Sequence, residues 1–443
     1  MGFINYCKWF EQSQAKGFDA LEFIVNEQNS LQITSEDGKV NQQVKSDLST
    51  IIINGLYKNK KASIYLEKNH NDLMIDTILD VLKKRIEILS FKEIDIIFSG
   101  SKLYPIISEN NFDFSQIDIN LKINLLLKLQ QELLASCYFS RKSDISYTEI
   151  FSRQILVNSQ GLNLQKKNSY AIIDAMCIFA RGQEKEEIYK RFPVKIFQDF
   201  NFSDYAQKII TLGEKKINGR SLKSSIYPTV LANEVFADLL CSFQNVFSGL
   251  YAYRNLTKLK KQQKMKIASS KVTIIDDPLS EKAFFQHPFD DEGVACQAKN
   301  IITNGLFDNF IHNLKTAHIF HQEALGNCFN GTIAMSNCYL QKGHKSFQDM
   351  ISVIQEGVYI NSIIGLHAGV NDISGDFSLQ AAGFKINKGE ITTAVKMIVL
   401  SGNFFDILQN IQDISDDFVF SISGFGSSSV YVGNLTIAGD MPN

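Results

Sequence analysis

The spacing of apolar residues in the first half of the chain predicts a mixture of helices and strands. Apolar residues recur every three or four positions in several segments, as on one face of a helix, and we predict helices at 3–14, 72–89, 119–134 and 202–216. Shorter runs rich in β-branched residues predict strands at 20–25, 30–34, 40–45, 50–57 and 62–66, followed by a long hairpin over 145–179. Gly38 lies between two of these strands and is typical of a tight hairpin turn.

The second half of the chain is richer in glycine and in strand-like alternation. We predict strands at 227–231 and 272–275, and a hairpin made of 378–386 and 391–400. Asn233 is predicted to cap a helix that runs to about 246, and Asn403 to cap a short helix. Because strands come in runs and helices are segregated from them, the pattern favours an α+β fold over regularly alternating βαβ units.

The length of the chain predicts two domains, because 443 residues are too many for one ordinary hydrophobic core. We predict an N-terminal mixed α/β domain at 1–205 and a C-terminal, glycine-rich β-sheet domain with flanking helices at 220–443. The boundary is placed near Gly219, where the glycine-rich strand pattern begins.

Composition and net charge limit the classes of binding partner and the cellular compartment that we expect. Hydrophobic residues make up 44% of the chain and charged residues 21%, as in ordinary folded proteins. The formal net charge of −2 gives no indication of a nucleic acid or a membrane surface as a partner. The seven cysteines form no C-x-x-C pair, and the sequence shows neither a signal peptide nor a membrane-spanning run. We therefore expect a cytoplasmic protein with reduced cysteines.

His318 and His321 form an H-x-x-H pair in a segment with helical character. Two histidines at this spacing can face one metal ion. In helices of the zincin type a glutamate directly follows the first histidine and acts as the general base, whereas Ile319 occupies that position here. Histidines without a metal role are the simpler interpretation of this pair.

The consecutive carboxylates Asp290, Asp291 and Glu292 form a second candidate cluster. Three neighbouring carboxylates can bind a cation or serve as acid and base. They can equally accept hydrogen bonds from backbone N–H groups in a turn. The sequence leaves both interpretations open and favours the turn.

The stretch from 365 to 378 is an unusual polar, glycine-rich loop between two apolar strands. It contains His367, Asn371 and Asp376, and such a loop can line a site or hold itself together through side-chain bonds to the backbone. No Lys-Ser or Lys-Thr pair follows its glycines, which excludes a nucleotide-binding P-loop. We predict a structural or chamber-lining loop in which Asn371 and Asp376 bond to backbone groups.

Several stretches resemble the TldD/PmbA family of metallopeptidases, also called peptidase U62. Asp276-Asp277-Pro278 followed by Pro288-Phe289-Asp290-Asp291-Glu292-Gly293 resembles the family pattern DDP…PFDDEG. The segment from Gly365 to Gly383 is similar to the family run G…HSGVNPVSGDFSLGASG, and Ser401-Gly402-Asn403 resembles the AGN turn. The resemblance extends over essentially the whole chain, and its C-terminal motifs are the specific ones.

The resemblance implies a paired assembly. In this family a TldD subunit holds zinc with the helix motif H-E-x-x-x-H and a later cysteine. A TldE/PmbA-type subunit has a similar fold without those ligands. The two form a dimer with an enclosed chamber that degrades unfolded or short peptides. An older name for such proteins is modulators of DNA gyrase.

This sequence resembles the TldE/PmbA-type subunit, because it contains no H-E-x-x-x-H and the cysteine position of TldD falls at Ser423–Gly426, which has no cysteine. The resemblance therefore implies a non-catalytic subunit without a cofactor of its own, whose TldD-type partner carries the zinc. Two alternatives stay open. One is a hydrolase with its own site, built from His367 with Asp372, Asp376 or Asp290; the other is a stand-alone homodimer that binds peptides.

Overall fold

A computed structural model of the chain describes residues 4–67, 74–90, 93–108 and 110–440. Its helices are α1 (Tyr6–Ala15), α2 (Ile75–Ile88), α3 (Ile119–Leu133), α4 (Phe202–Lys216), α5 (Asn233–Ser242), α6 (Gly249–Tyr253), α7 (Leu314–Phe320), α8 (Phe347–Ser352), α9 (Leu366–Gly369) and α10 (Phe404–Asn410). The strands of the N-terminal half are β1 (Ala20–Glu36), β2 (Lys39–Tyr57), β3 (Lys60–Glu67), β4 (Phe139–Asn158), β5 (Asn163–Arg181) and β6 (Glu184–Val194). Those of the C-terminal half are β7 (Lys223–Leu231), β8 (Ile274–Asp276), β9 (Lys299–Thr303), β10 (Leu306–Phe307), β11 (Cys328–Phe329), β12 (Thr332–Ile333), β13 (Cys338–Leu340), β14 (Glu356–Ile364), β15 (Asp376–Asn387), β16 (Glu390–Asn403), β17 (Asp413–Ile414), β18 (Val419–Phe420), β19 (Phe425–Ser427) and β20 (Val430–Asp440).

The N-terminal half is built on one antiparallel sheet with the strand order β3-β2-β1-β4-β5-β6. Successive side chains of a strand point to opposite faces, so the buried Phe23 and Ile33 of β1 lie on the same face. Phe23 packs beneath α1 and α2, whereas Ile33 packs beneath α3 and α4. One face of the sheet therefore carries two separate helical layers, one toward each end of its long strands.

The C-terminal half contains a six-stranded sheet in the order β16-β15-β14-β7-β20-β17, and an additional pairing of β16 with β20 closes five of its strands into a ring. A third sheet has the order β10-β9-β8-β13-β19-β18. Buried side chains of both sheets and of α5 share one large apolar core. Helix α5 packs against β14 of one sheet and β19 of the other, so it lies at the centre of this half.

The α+β fold that the sequence predicts is confirmed, and the structure corrects several element limits. The predicted strands 20–25 and 30–34 form the single strand β1, and 40–45 and 50–57 belong to the single strand β2. The predicted starts of the first two helices, at 3 and 72, lie outside the described residues. The limits 1–205 and 220–443 remain a prediction; α4, which spans position 205, packs with α3 on the N-terminal sheet.

Helix α5 is shorter than predicted, and Asn233 is its first residue rather than its cap. The Asn233 side chain accepts a hydrogen bond from Glu234 N and donates one to Asp417 O. The helix ends at Ser242, and a separate short turn of 3₁₀ helix follows at Gln244–Phe247. In the part of the chain that the structure describes, no helix is both long and apolar enough to cross a membrane.

Candidate functional site

A cleft of about 460 Å³ separates the N-terminal sheet from the C-terminal half. Strands β1, β4 and β5 form one wall, and the other wall includes His287, Asp291 and the β11–β12 hairpin. Amide side chains line much of the cleft: Asn26, Gln28, Gln154, Asn168 and Asn330. The cleft is therefore rich in neutral groups that can both donate and accept hydrogen bonds.

Asp290 is fully buried beside this cleft and holds two backbone segments together. Its Oδ1 accepts hydrogen bonds from Glu292 N and Val294 N, both at 3.0 Å, and its Oδ2 accepts one from Cys328 N at 2.9 Å. Burial and the nearby Glu292 raise the pKa of Asp290 to about 7, against the effect of the three N–H donors. The Asp290 carboxylate therefore stabilises a buried turn at 290–294 and connects this turn to β11.

Asp291 and Glu292 point away from Asp290 toward other partners. Asp291 Oδ2 accepts a hydrogen bond from Asn330 N at 2.6 Å, and its Oδ1 lies 3.5 Å from Lys166 Nζ across the cleft. Glu292 Oε2 accepts one from Leu314 N, the first residue of α7, at 2.8 Å. The structure thus keeps these carboxylates adjacent in sequence but directs each to a different element, and they do not converge on one point.

The same segment joins the two halves of the molecule. The Tyr104 hydroxyl donates to Gly293 O at 2.7 Å, and Ala295 N donates to Ser101 Oγ at 3.0 Å. Phe289 packs edge-on against the Tyr104 ring, with centroids 6.4 Å apart. The PFDDEG segment is therefore a junction between the loop near residue 100 and the C-terminal half.

His287 is a cleft residue that the sequence analysis missed. Burial and the neighbouring Lys166 lower the pKa of its imidazole to about 4, so the ring is neutral near pH 7. Its ring centroid lies 5.2 Å from that of Phe329. The available signal was its position directly before Pro288 in the carboxylate-rich motif, but an isolated histidine carries no spacing that predicts a role.

Asp276 is the centre of a second buried polar cluster that the sequence analysis did not single out as a site. Its Oδ2 accepts hydrogen bonds from Asn327 Nδ2 at 2.8 Å and from Lys299 Nζ at 3.2 Å. Its Oδ1 accepts one from Ser336 N at 3.0 Å. The cluster connects β8 to β9 and to the segments on either side of the β11–β12 hairpin, which accounts for a carboxylate at the end of a short buried strand.

The loop from 365 to 378 forms a separate site. Asn371 Oδ1 accepts hydrogen bonds from Ile373 N and Ser374 N, both at 3.1 Å, as expected of an Asx residue in a loop. Asp376 is exposed, and its Oδ1 accepts a hydrogen bond from the side chain of Asn403 at 2.7 Å rather than from a backbone group. The hydrogen bond from Asn403 lowers the pKa of Asp376, together with a bond to Ser374.

The structure does not assemble His367 and the three aspartates proposed with it into one site. His367 is exposed on α9. Asp372 Oδ2 accepts hydrogen bonds from the Tyr251 hydroxyl at 2.8 Å and from Asn245 Nδ2 at 2.9 Å. The carboxylates of Asp376 and Asp290 are held by the partners described above. Residues of the 365–378 loop do not line the cleft at Asp291.

His318 and His321 are exposed and lie on differently oriented backbone. His318 belongs to the last turn of α7, whereas His321 follows the helix in a left-handed conformation with φ of 52°. Among the described residues, no group of three or more His, Cys, Asp and Glu side chains is arranged to hold a metal ion.

We expect Asn403→Ala to lower the free energy of unfolding by about 1–2 kcal/mol, the usual effect of losing a helix N-cap. Asn403 Oδ1 accepts hydrogen bonds from Phe405 N at 3.0 Å and Asp406 N at 3.4 Å, and so caps α10. Its Nδ2 also donates to Ser374 O at 3.0 Å, which ties the 365–378 loop to the cap. Urea denaturation measures the change. Asn403→Ser keeps a cap oxygen without placing a carboxylate beside Asp376, so it should cost less than Asn403→Ala. Equal losses in both variants would contradict the capping role.

Residues 224–439 match the family of PmbA/TldA metallopeptidase C-terminal domains. A metalloprotease PmbA homolog from Buchnera aphidicola is 26% identical over 293 residues, which are 64% of this chain and 62% of that protein. The chain belongs to the PmbA/TldD family. A Thermotoga maritima protein called a modulator of a DNA gyrase superposes with a TM-score of 0.90 at 25% identity, covering 98% of this chain and 99% of the other. TldE from Thermococcus kodakarensis has the same fold, with a TM-score of 0.86 at 19% identity and 98% of each chain covered.

The resemblance places the cysteine that holds zinc in TldD at the position of 423–426 in this chain. The other zinc ligands of TldD lie on a helix with the motif H-E-x-x-x-H. A zinc site of that type would therefore need histidines on the helix beside 423–426. Helix α5 packs against β19 there, and its polar side chains are Asn233, Glu234, Asp238, Cys241 and Ser242. None of them is a histidine. Burial raises the pKa of the Cys241 thiol to about 11, which disfavours the thiolate that zinc requires. The residues at this place therefore do not fit a zinc site of the TldD type.

Proposed function

We propose that this chain is a non-catalytic, TldE/PmbA-like subunit that assembles with a TldD-type zinc protease to process unfolded or short peptides. The observation that carries the proposal is the composition of α5 beside β19. A hydrolytic zinc ion needs three protein ligands of suitable type and a base for its bound water. Here the helix offers Glu234, Asp238 and a protonated Cys241, and Glu234 is paired with Lys190 at 3.4 Å. Proteolysis is thus assigned to the partner, and zinc with it.

The cleft next to Asp291 supports a role in holding peptide. A peptide backbone presents alternating neutral donors and acceptors, which the amide side chains of the cleft can match. Gln154 Nε2 donates to Asn26 Oδ1 at 3.0 Å, while Gln154 Oε1 is buried without a partner among the described residues. Gln154 Oε1 has no surface that a ligand could reach, whereas Gln28 and Asn330 are exposed and can meet a peptide backbone in the cleft.

We expect the purified chain alone to contain no stoichiometric zinc and to hydrolyse no peptide, even after zinc is added. Elemental analysis and a peptidase assay with unfolded peptides measure both properties. His287→Ala and His367→Ala are the informative variants. One zinc per chain, with activity that either variant removes, would identify a hydrolase with its own site and contradict the proposal.

Mixing the chain with a TldD-type subunit tests the assembly directly. We expect a heterodimer in sedimentation, with peptidase activity that depends on both subunits and on the zinc of the partner. Alone, the chain is expected to form a species near twice its 50.0 kDa. A chain that neither joins the partner nor changes its activity would contradict the subunit role, and a self-associated form that binds peptide would favour a stand-alone binding protein.

A further inference from the structure

A groove of about 660 Å³ lies between the two halves of the molecule, apart from the cleft at Asp291. The groove and the cleft have no lining residue in common. Strand β6 and helix α4 form the N-terminal wall of the groove, and the start of α5 forms the other wall together with β14 and β15. Because β6 is the last strand of its sheet, the groove follows one edge of the N-terminal sheet.

Four cationic side chains line this groove. Lys190 and Arg191 come from β6, and Lys208 and Lys215 come from α4. Glu234 is the one acidic residue among the described residues of the lining, which therefore has a net charge of about +3. The whole chain has a formal net charge of −2, so this positive charge is a local feature of the groove. A concave surface lined by one sign of charge attracts ligands of the opposite sign.

The two cations of β6 form ion pairs but keep N–H donors for a ligand. Lys190 Nζ lies 3.4 Å from Glu234 Oε2, across the groove, and an ammonium group has three N–H donors. Arg191 donates to Asp174 through Nε at 2.7 Å and through Nη2 at 3.2 Å, which uses two of the five donors of a guanidinium group. Asp174 does not line the groove. A carboxylate in the groove can therefore still meet donors on both side chains.

The two lysines of α4 lie two helical turns apart on the face that lines the groove. Their Cα atoms are separated by about 10 Å along the helix axis. Lys208 Nζ lies 2.8 Å from Asp204 in an exposed pair, which contributes little in water. Lys215 is exposed and forms no ion pair with a residue that the structure describes. Even with Asp174 and Asp204 counted, the groove keeps a net charge of about +1.

Neutral side chains occupy the lining between these cations. Gln207 and Thr211 offer polar groups on α4, and Tyr359 and Phe384 offer aromatic surface on the opposite wall. Two cations about 10 Å apart match acidic side chains three positions apart in an extended chain, at about 3.4 Å per residue. The neutral groups between them can contact the intervening peptide backbone and side chains.

We infer that this groove binds an acidic peptide segment in an extended conformation, with carboxylates on the lysines of α4 and on the cations of β6. A compact anion such as phosphate would meet only part of a cationic lining that is spread over two elements. The volume lies within the range of about 300–1,000 Å³ for ligand sites, which suits a few peptide residues. The inference does not rest on the proposed subunit role, because binding is a property of this chain alone and needs no partner or zinc.

Fluorescence polarisation with labelled peptides and the intact chain tests the inference. Three peptides of one length carry Glu, Gln or Lys at every third position of a Gly-Ser background. We expect the Glu peptide to bind about tenfold or more tightly than the Gln peptide, and its affinity to fall as salt is added. Equal binding of these two peptides would overturn the inference. Displacement of the Glu peptide by tripolyphosphate at a lower concentration than by unlabelled Glu peptide would also overturn it, because it would identify a phosphate site.

Two variants should move the affinity for the Glu peptide in opposite directions. Lys208→Gln combined with Lys215→Gln should weaken it about five- to tenfold and leave the Gln peptide unaffected, whereas Glu234→Gln removes the carboxylate of the groove and should tighten it about two- to fivefold. Lys261→Gln combined with Lys266→Gln is the matched control, since it removes two exposed lysines outside the groove. An equal loss in the control, or unchanged affinity in the variant of α4, would contradict binding in this groove.

Discussion

Asp276→Ala is expected to lower the free energy of unfolding by about 3–5 kcal/mol, because it leaves a buried lysine without its counter-charge. Asp276 is 0% exposed, and the side chain of Lys299, at 3.2 Å, is 8% exposed. The substitution also removes the acceptor of Asn327 Nδ2 and of Ser336 N, both buried. Each buried donor left unsatisfied costs about 1–3 kcal/mol, so charge and hydrogen-bond losses act in the same direction. Denaturation in urea measures the change.

The adjacent Asp277 provides a matched control for this prediction. It is partly exposed, and its Oδ1 accepts one hydrogen bond, from Leu279 N at 3.1 Å. Asp277→Ala should therefore cost about 1 kcal/mol. Adding Lys299→Met to Asp276→Ala removes the unpaired charge and should restore part of the lost stability. Equal effects of the two alanine variants, or no recovery in the double variant, would show that the buried ion pair is not the cause.

The sequence predicts the helices well where an apolar stripe is packed on the sheet. Helix α4 has its predicted limits, and α3 ends one residue before its predicted end. The strands were harder, because the polar run Asn26–Asn29 in β1 interrupts the apolar alternation between the two helical layers. Backbone pairing with β2 and β4 continues through this run, so one long strand reads as two short ones in the sequence.

The sequence also identified the polar motifs but not their geometry. Asp290 accepts a hydrogen bond from Cys328 N, and Asp291 accepts one from Asn330 N. Both donors belong to the β11–β12 hairpin, which is distant from the two aspartates in sequence. Periodicity contains no information about such partners. Asn371 and Asn403 were easier to interpret, because Asx turns and helix caps are bonds to nearby backbone. His287 could not be found, since its neutral state follows from burial in the folded chain.

Gly383→Ala is expected to destabilise the chain by about 3–5 kcal/mol or to prevent it from folding. Gly383 lies in β15 opposite Ile360 of β14, where both strands change register. A Cβ at this position would lie 1.9 Å from Tyr359 O and 2.9 Å from Ile360 Cα. Both are backbone atoms, so no side-chain rotation can relieve the contact, and the strands of the closed ring would have to separate. Thermal unfolding and soluble yield report the effect.

Gly331→Ala separates this steric effect from the general cost of replacing glycine. Gly331 has a φ of 72°, and a Cβ there would meet nothing within 4 Å. Its replacement should cost only the strain of a left-handed residue, about 1–2 kcal/mol, because the β11–β12 turn has room for a methyl group. Gly383 does not have a positive φ, so its loss would come from contact with β14 alone. A Gly383→Ala protein that unfolds at the wild-type temperature would mean that β14 and β15 are not this close.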